Sequence, residues 1–532
     1  MEHTKDLAIL TNEVGTCVRR PLSPSQSPGL NITLIALATS GVATIAQDIF
    51  EPANFNVTKA LIDNGFNVSA IPGLSNLCDS LNLVFGDSKL SQKAPTTYWS
   101  QQQLSIKPHC TLIPTAALEV SILVLLSRLT QCSFATKSGG HAAFPALSIE
   151  GGITVDLVKM NKLMLSADNE TVAVGSGNRW KNVYDYLDPY NFAVVGGRAS
   201  TVGISGLTLG GGISHHTNKY DLACDNVASY EVVSASGAII TVSEQTYPDL
   251  YWALRGGGNN FGIITTFNYE TFSQGLMFFS KRQYNATHIP SLFDAFGNTV
   301  QNAEVDTKAA HFVAVAYNSG YRIASAEDEC FDPVDVSNPP AIFNDYLLIP
   351  ITLGLTESMP AGLRTTMWSQ LFKVNTGLME GMSNHFLEIV PKFPGGGAPS
   401  MAFQAFTKPA LRAMQRKGDN ALVLRPDDGP FFDILLYLAW TDEKDDKTIY
   451  KTAQDFLAAS TAKAKQLGAY NDYMYMAYSN PYQPVISGYG ADSVARLNKV
   501  SSKYGPKGVF QTLQPTSFKL NGEAPFGAVV AI

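Results

Sequence analysis

"TKSGGHAAFP", Thr136 to Pro145, places two glycines directly before a histidine and a lysine directly before the serine that precedes them. A turn would use the glycines but has no need of His141. A metal site would want a second ligand at a set spacing, and the chain shows no C-x-x-C pair, no H-E-x-x-H and no other zinc pattern, so no metal is expected. Successive glycines let the backbone come close to a ligand and turn several N–H groups onto an anion. His141 therefore asks for a partner that is neither a turn nor a metal.

Two further glycine clusters follow, "GGRASTVGISGLTLGGGISHH" (Gly196–His216) and "RGGGNNFGII" (Arg255–Ile264). Neither satisfies G-x-G-x-x-G, since Phe261 stands where the third glycine of the last cluster would be. Walker and serine-hydrolase patterns are absent too. Each cluster alone reads as tight turns, but three within 130 residues, with a cation beside the first, suit a nucleotide cradle. The segments around them read as short strands: Ser133–Thr136, Thr171–Gly177, Gly262–Phe272, and a hairpin over Tyr230–Ser243 turning at Ser236-Gly237. Helices fit at Ala116–Gln131 and Pro248–Arg255, the first with Leu118, Ile122, Leu125, Leu126 and Leu129 at helical spacing. The irregular alternation predicts an α+β domain rather than a parallel Rossmann sheet. From about Ser273 glycine thins, and amphipathic helices such as Lys447–Leu467 alternate with apolar strands such as Asp433–Thr441.

In combination these motifs resemble the FAD-linked oxidases of the vanillyl-alcohol oxidase superfamily, most closely fungal oxidases similar to berberine bridge enzyme. Lys137-Ser138-Gly139-Gly140-His141 matches that family's R/K-S-G-G-H loop residue for residue, and the second and third clusters resemble its T-V-G-x-x-G-x-x-x-G-G-G and W-A-L-R-G-G-x-N-N-F-G-I runs. Tyr98–Ser121 and Gly488–Gln511 resemble its opening and closing segments, so the likeness spans about four hundred residues. The resemblance implies a two-part FAD-binding domain plus an α/β substrate domain with a mainly antiparallel sheet. It implies FAD tethered by a covalent bond to His141 and bound by Lys137, Ser138, Gly139, Gly140, Ala142, Thr201, Val202, Gly203, Ser205, Gly206, Gly211, Gly212, Gly262 and Ile263.

Departures refine this. Family members with two flavin bonds carry a cysteine two residues before the Thr-Val-Gly; here that position is Ala199, so His141 is expected to be the single link. The Y-x-N-Y box appears as Tyr475-Met476-Ala477-Tyr478. Tyr475 and Tyr478 are candidate bases, or aromatic packing at a domain seam. After the glycine triplet come His215 and His216, where relatives carry aromatics; on a strand they would point to opposite faces, with at most one facing the flavin. Gln404 and Trp440 fall in segments resembling the substrate-facing part of relatives. Cys78 and Cys110 are a possible disulfide, and Cys132 and Cys224 read as small buried packing groups.

The reading is an FAD-dependent oxidase of a small organic molecule, passing hydride to covalently bound FAD and electrons on to oxygen, in a secondary-metabolite setting. A carbohydrate oxidase, a flavin-scaffolded non-redox cyclase and a binding protein without turnover are the alternatives. With 532 residues, 45% hydrophobic, the chain has material for more than one domain. The expected division is an N-terminal segment to residue 50 with a possible signal region, a FAD domain over 51–272, a substrate domain over 273–466, and a segment over 467–532 returning to the FAD domain. A net charge of −7 argues against a nucleic-acid partner. The apolar run Ile32–Ala46 is too short to span a bilayer and suits a secretory signal or a buried segment. Five sequons (Asn31, Asn56, Asn67, Asn169, Asn285) are no more than this composition supplies by chance, so a secreted glycoprotein is an expectation only. Oligomeric state is left open.

Overall fold

A computed structural model describes residues 55–63, 77–318, 323–332, 347–349, 351–352, 362–394 and 399–527. The expected signal region and part of the sequence's FPGGGAPS stretch (Phe393–Ser400) lie outside them. Three sheets organise the described chain.

The first sheet runs in spatial order Leu90–Ser91, Cys110–Leu112, Ile153–Asp156, Phe134–Lys137, the last three strands parallel. Helix Ala117–Thr130 lies between it and the second sheet. Its sequence suggested one apolar stripe, yet every residue from Val120 to Arg128 is buried. A helix covered on both sides must satisfy its polar groups internally. Ser121 Oγ accordingly donates to the Gly237 carbonyl and Arg128 Nη1 to that of Ala235, each at 2.5 Å. The helix stops at Gln131, which takes the left-handed conformation.

The second sheet is antiparallel: Leu163–Leu165, Thr171–Gly175, Ile263–Ser273, Val227–Val233, Ile239–Ser243, with Phe192–Val194 also on the long central strand. The hairpin turns where expected. Gly237 has φ +82°, and a Cβ there would also press on the Leu125 side chain at 2.9 Å.

The third sheet has seven strands, all antiparallel, in the order Leu347–Ile349, Met277–Asn285, Ile323–Asp332, Ala310–Asn318, Ser400–Phe406, Phe431–Trp440, Arg364–Lys373. Period-two alternation gives it two unlike faces. Phe432, Ile434, Leu436 and Leu438 pack against helices Ile289–Gln301, Thr376–Ile389 and Asp446–Gln466. Phe431, Asp433, Tyr437 and Ala439 turn the other way, towards the first two sheets. The α+β architecture expected from sequence is therefore present. A buried ion pair ties its parts: Arg255 Nη1 meets Asp225 Oδ1 at 3.1 Å, while Arg255 Nη2 donates to the Lys417 and Asp419 carbonyls.

The cysteines divide unexpectedly. Cys78 and Cys110 form a disulfide and Cys224 is a buried free thiol, as read from sequence. Cys132 is itself disulfide-bonded, not the packing thiol its apolar neighbours suggested.

Candidate functional site

The strand Phe134–Lys137 delivers the Ser-Gly-Gly-His loop. Gly140 has φ +83°, and a Cβ there would sit 2.4 Å from the Thr97 carbonyl oxygen, so only glycine fits. Gly139 and Gly203 meet backbone to backbone; a Cβ on either would fall 2.4 Å from the other's nitrogen. The first two glycine clusters are thus one surface. Ser138 Oγ and Ser205 Oγ both donate to the Ser176 carbonyl, at 2.5 and 3.0 Å, and lock the two loops together. Thr201 Oγ1 beside them is buried with no partner among the described residues. Gly206 faces open space.

Lys137 does not supply the loop's free cation. Its Nζ lies 3.1 and 3.2 Å from the two oxygens of Asp156, and the pair is buried, so that charge is already balanced. Arg179 takes its place, donating from Nη2 to the Gly139 carbonyl at 3.0 Å. Nothing in the spacing marked Arg179, which precedes helix Trp180–Leu187 and reaches the loop only through folding.

His141 sits under the indole of Trp99, ring centres 4.3 Å apart and planes 10° apart. The backbone N–H of Trp99 donates to the Gly140 carbonyl at 2.9 Å, tying the residue that carries the indole to the loop. Nε2 of His141 is buried and has no partner among the described residues. Burial, reinforced by the Arg179 charge, pushes the imidazole pKa down to about 4. At neutral pH the ring is uncharged, with Nε2 unengaged. Ala142, next in the chain, is partly buried against the central core.

Trp99 also leans on Tyr437, 5.9 Å centre to centre, so the third sheet forms the floor beside His141. Along the same face of that strand, four residues or about 13 Å away, stands Asp433. Its Oδ1 accepts from Ser369 Oγ at 2.6 Å and its Oδ2 has no partner among the described residues. Burial drives its pKa well above the usual carboxylate value. Gln404 pairs with Asp433 in register, and its Oε1 accepts from Arg198 Nη2. Trp440 instead faces the helices and donates to Asp446 Oδ1 at 2.8 Å, away from this floor. The sequence offered one clue to Asp433, a lone acid in an otherwise apolar strand.

The two tyrosines part company. Tyr475 is buried, and its hydroxyl oxygen accepts from the N–H groups of Gly212 (3.1 Å) and Ile213 (3.0 Å), with Gly211 packed on its ring. Burial pushes its pKa well up. It holds the glycine triplet in place. Tyr478 meets it edge-on at 4.8 Å, and its hydroxyl accepts from Arg198 Nη2 at 3.3 Å.

His215 and His216 lie in a turn, not on a strand, and both are buried. The alternation argument therefore does not apply to them. His216 packs edge-on against Phe272 at 4.9 Å, and burial lowers its pKa to about 3. The third cluster also differs from a cradle. Gly256 and Gly258 lie against Leu422 and Met476, Gly262 lies against Val232, and Ile263 is buried in the core between the first two sheets.

An FAD-binding domain model matches residues 108–243. The FAD-dependent monooxygenase FUP4 of Fusarium proliferatum is 34% identical over 460 residues, covering 80% of this chain and 88% of that protein. The FAD-dependent monooxygenase tpcD of Cochliobolus heterostrophus is 34% identical over 456 residues, covering 80% and 87%. Among solved structures, Physcomitrella patens BBE-like 1 superposes with a TM-score of 0.67 at 18% identity, over 84% of this chain and 98% of that one.

Proposed function

The chain belongs to the FAD-linked oxidoreductases of the vanillyl-alcohol oxidase superfamily that include the fungal FAD-dependent monooxygenases, and from that membership we propose that it oxidises a small organic molecule in secondary metabolism. The observation that carries this reading is the buried Nε2 of His141, uncharged and without a partner among the described residues, beneath the Trp99 indole that leans on Tyr437 of the third sheet.

The residues present fit FAD. His141 Nε2 and Thr201 Oγ1 are buried polar atoms without a partner among the described residues, Gly206 opens onto free space, and the Gly139–Gly203 contact brings the two loops together as only glycines can. His141 would tether the flavin as its single link, with Ser138 to Ala142, Thr201 to Gly203, Gly206 and Arg179 around it. Residues 51–272 and 467–532 would hold the cofactor, and 273–466 would cover the substrate. FAD held there would supply the hydride-accepting chemistry and, with oxygen as the final acceptor, the route to hydrogen peroxide.

Substrate would lie over the face carrying Tyr437, Asp433 and Gln404. As a phenolate held against the Arg198 guanidinium, Tyr478 would take the hydroxyl or amine proton and become the neutral phenol. Burial favours the protonated form of Asp433, and in that form its carboxyl would offer the substrate a hydrogen-bond donor. Tyr475 fixes the turn that carries Ile213 into the site. Trp99 and Tyr437 exclude water from the imidazole side.

The Cys78–Cys110 bond and the bonded Cys132 support passage through an oxidising compartment. Asn56, Asn169 and Asn285 are exposed and open to glycosylation there. No helix among the described residues is long and apolar enough to cross a membrane.

The relatives' name supplies a second reading, in which an oxygen atom enters the product. Anaerobic mixing with a substrate, then admission of isotope-labelled oxygen, separates the readings. Flavin bleaching followed by one peroxide per product supports the oxidase. Label in the product supports the monooxygenase, and product without bleaching overturns both.

A further inference from the structure

A cavity lies between the Ser214–Asn218 turn, helix Ile289–Gln301 and the third sheet, lined among others by Arg198, Ser214, Thr217, Phe312, Gln404 and Thr407. Among the described residues its lining includes the Arg198 guanidinium and no carboxylate side chain. Several other arginines of this chain face an acid: Arg255 pairs with Asp225, Arg364 with Asp446, Arg412 with Glu304 and Arg416 with Asp221. Arg198 makes no such pair among the described residues. It is held by neutral groups: the Gln404 amide oxygen, the Tyr478 hydroxyl, and the face of Phe312, 5.2 Å from the guanidinium carbon.

Both hydrogen bonds leave from Nη2. The fork of a guanidinium carries five N–H groups, so those on Nη1 and Nε remain for a ligand. Asp433, opposite Gln404 on the next strand, is within electrostatic reach of Arg198 but makes no ion pair with it. The groups that touch the guanidinium are neutral, so it gives up hydration without a bonded counter-charge, and an incoming oxyanion supplies one.

We propose that this cavity binds an oxyanion of the substrate, a carboxylate or an ionised phenol or enol, against Nη1 and Nε of Arg198. The inference deepens the proposed function and rests on that reading of the site. One guanidinium then grips the substrate's anion and the Tyr478 hydroxyl together, which fixes the distance between the anionic end and the proton acceptor. Uncharged sugars and neutral alcohols leave the fork unfilled, so the cavity selects acidic phenols, enols and carboxylic acids.

Calorimetric titration of the flavin-loaded protein with benzoate, 4-nitrophenolate and neutral benzamide tests this without requiring turnover. The expected result is that at least one oxyanion binds about tenfold or more tighter than benzamide, since a charge-assisted bidentate contact is lost in the amide. Whichever oxyanion is preferred identifies the source of the charge. In Arg198→Gln the preference falls below about threefold, while Arg198→Lys keeps part of it, because the charge survives without the fork. Flavin absorbance and melting temperature, recorded for each variant, show that the fold is intact. Equal binding of all three probes, no binding of either oxyanion, or a preference that survives in Arg198→Gln would overturn the proposal. A protein that oxidises substrate yet fails this test leaves the oxidase reading standing. One that passes it without bleaching keeps the anion site and loses the oxidase.

Discussion

The indole of Trp99 lies flat on the imidazole of His141, with 4.3 Å between ring centres, and its backbone N–H holds the carbonyl of Gly140 one residue earlier. One residue thus fixes both the plane of the ring and the loop that presents it. Replacing the indole frees the imidazole to rotate away from the orientation it needs. Trp99→Ala is expected to lower the fraction of flavin that stays with acid-precipitated protein several-fold, and Trp99→Phe to retain most of it. Equal retention in Trp99→Ala and wild type would remove the positioning role.

Tyr475 and Tyr478 separate structure from turnover. Tyr475→Phe strips two buried N–H groups of their acceptor and should cost about 1–3 kcal/mol for each group left unsatisfied, read from chemical denaturation. Tyr478→Phe should leave stability within about 1 kcal/mol but lower kcat by about 10²-fold or more. The opposite pattern would exchange the two roles.

His216 makes the fold sensitive to acid. Its pKa in the folded protein is about 3, below the ordinary value of 6.5. Between those values the unfolded chain binds a proton that the folded one does not, so stability falls as pH drops below 6.5. At pH 5 the loss from this group is up to about 2 kcal/mol relative to pH 7. His216→Phe, which keeps an aromatic beside Phe272, should flatten the fall in melting temperature across that window. An unchanged slope would place the acid sensitivity elsewhere.

The Arg255–Asp225 pair clamps the third glycine cluster to the segment Lys417–Asn420, because Asn420 Nδ2 also donates to both Asp225 oxygens. Asp225→Asn leaves a guanidinium buried without its counter-charge. The expected cost is about 3–5 kcal/mol, measured by denaturant unfolding, with flavin released early in the transition. A loss under about 1 kcal/mol would show that the pair is not a clamp.

The parts of this molecule legible in sequence are those whose cause is local. The Gly237 turn, the helix over Ala117–Thr130 and the apolar strand expected over Asp433–Thr441 and found at Phe431–Trp440 follow from spacing, backbone chemistry and composition. The histidine loop was visible because a turn explains its glycines but not His141, and because two further glycine clusters follow it in order. What was not legible depends on partners far along the chain. Lys137 looked like a free cation until Asp156 folded beside it, and Arg179 had no mark of its own. His215 and His216 were read by strand alternation, but the chain turns there. Cys132 seemed an inert thiol because apolar neighbours describe a buried disulfide equally well. Asp433 was hidden in a strand whose two faces are both buried, so alternation gave no sign that one faces the site.

Acid precipitation of the purified protein tests whether a single covalent bond from His141 holds the flavin, as proposed. Wild-type protein is predicted to carry flavin absorbance into the precipitate, and His141→Ala to release all of it into the supernatant. Flavin freed entirely from wild type, or held covalently by His141→Ala, would rule out His141 as the single link.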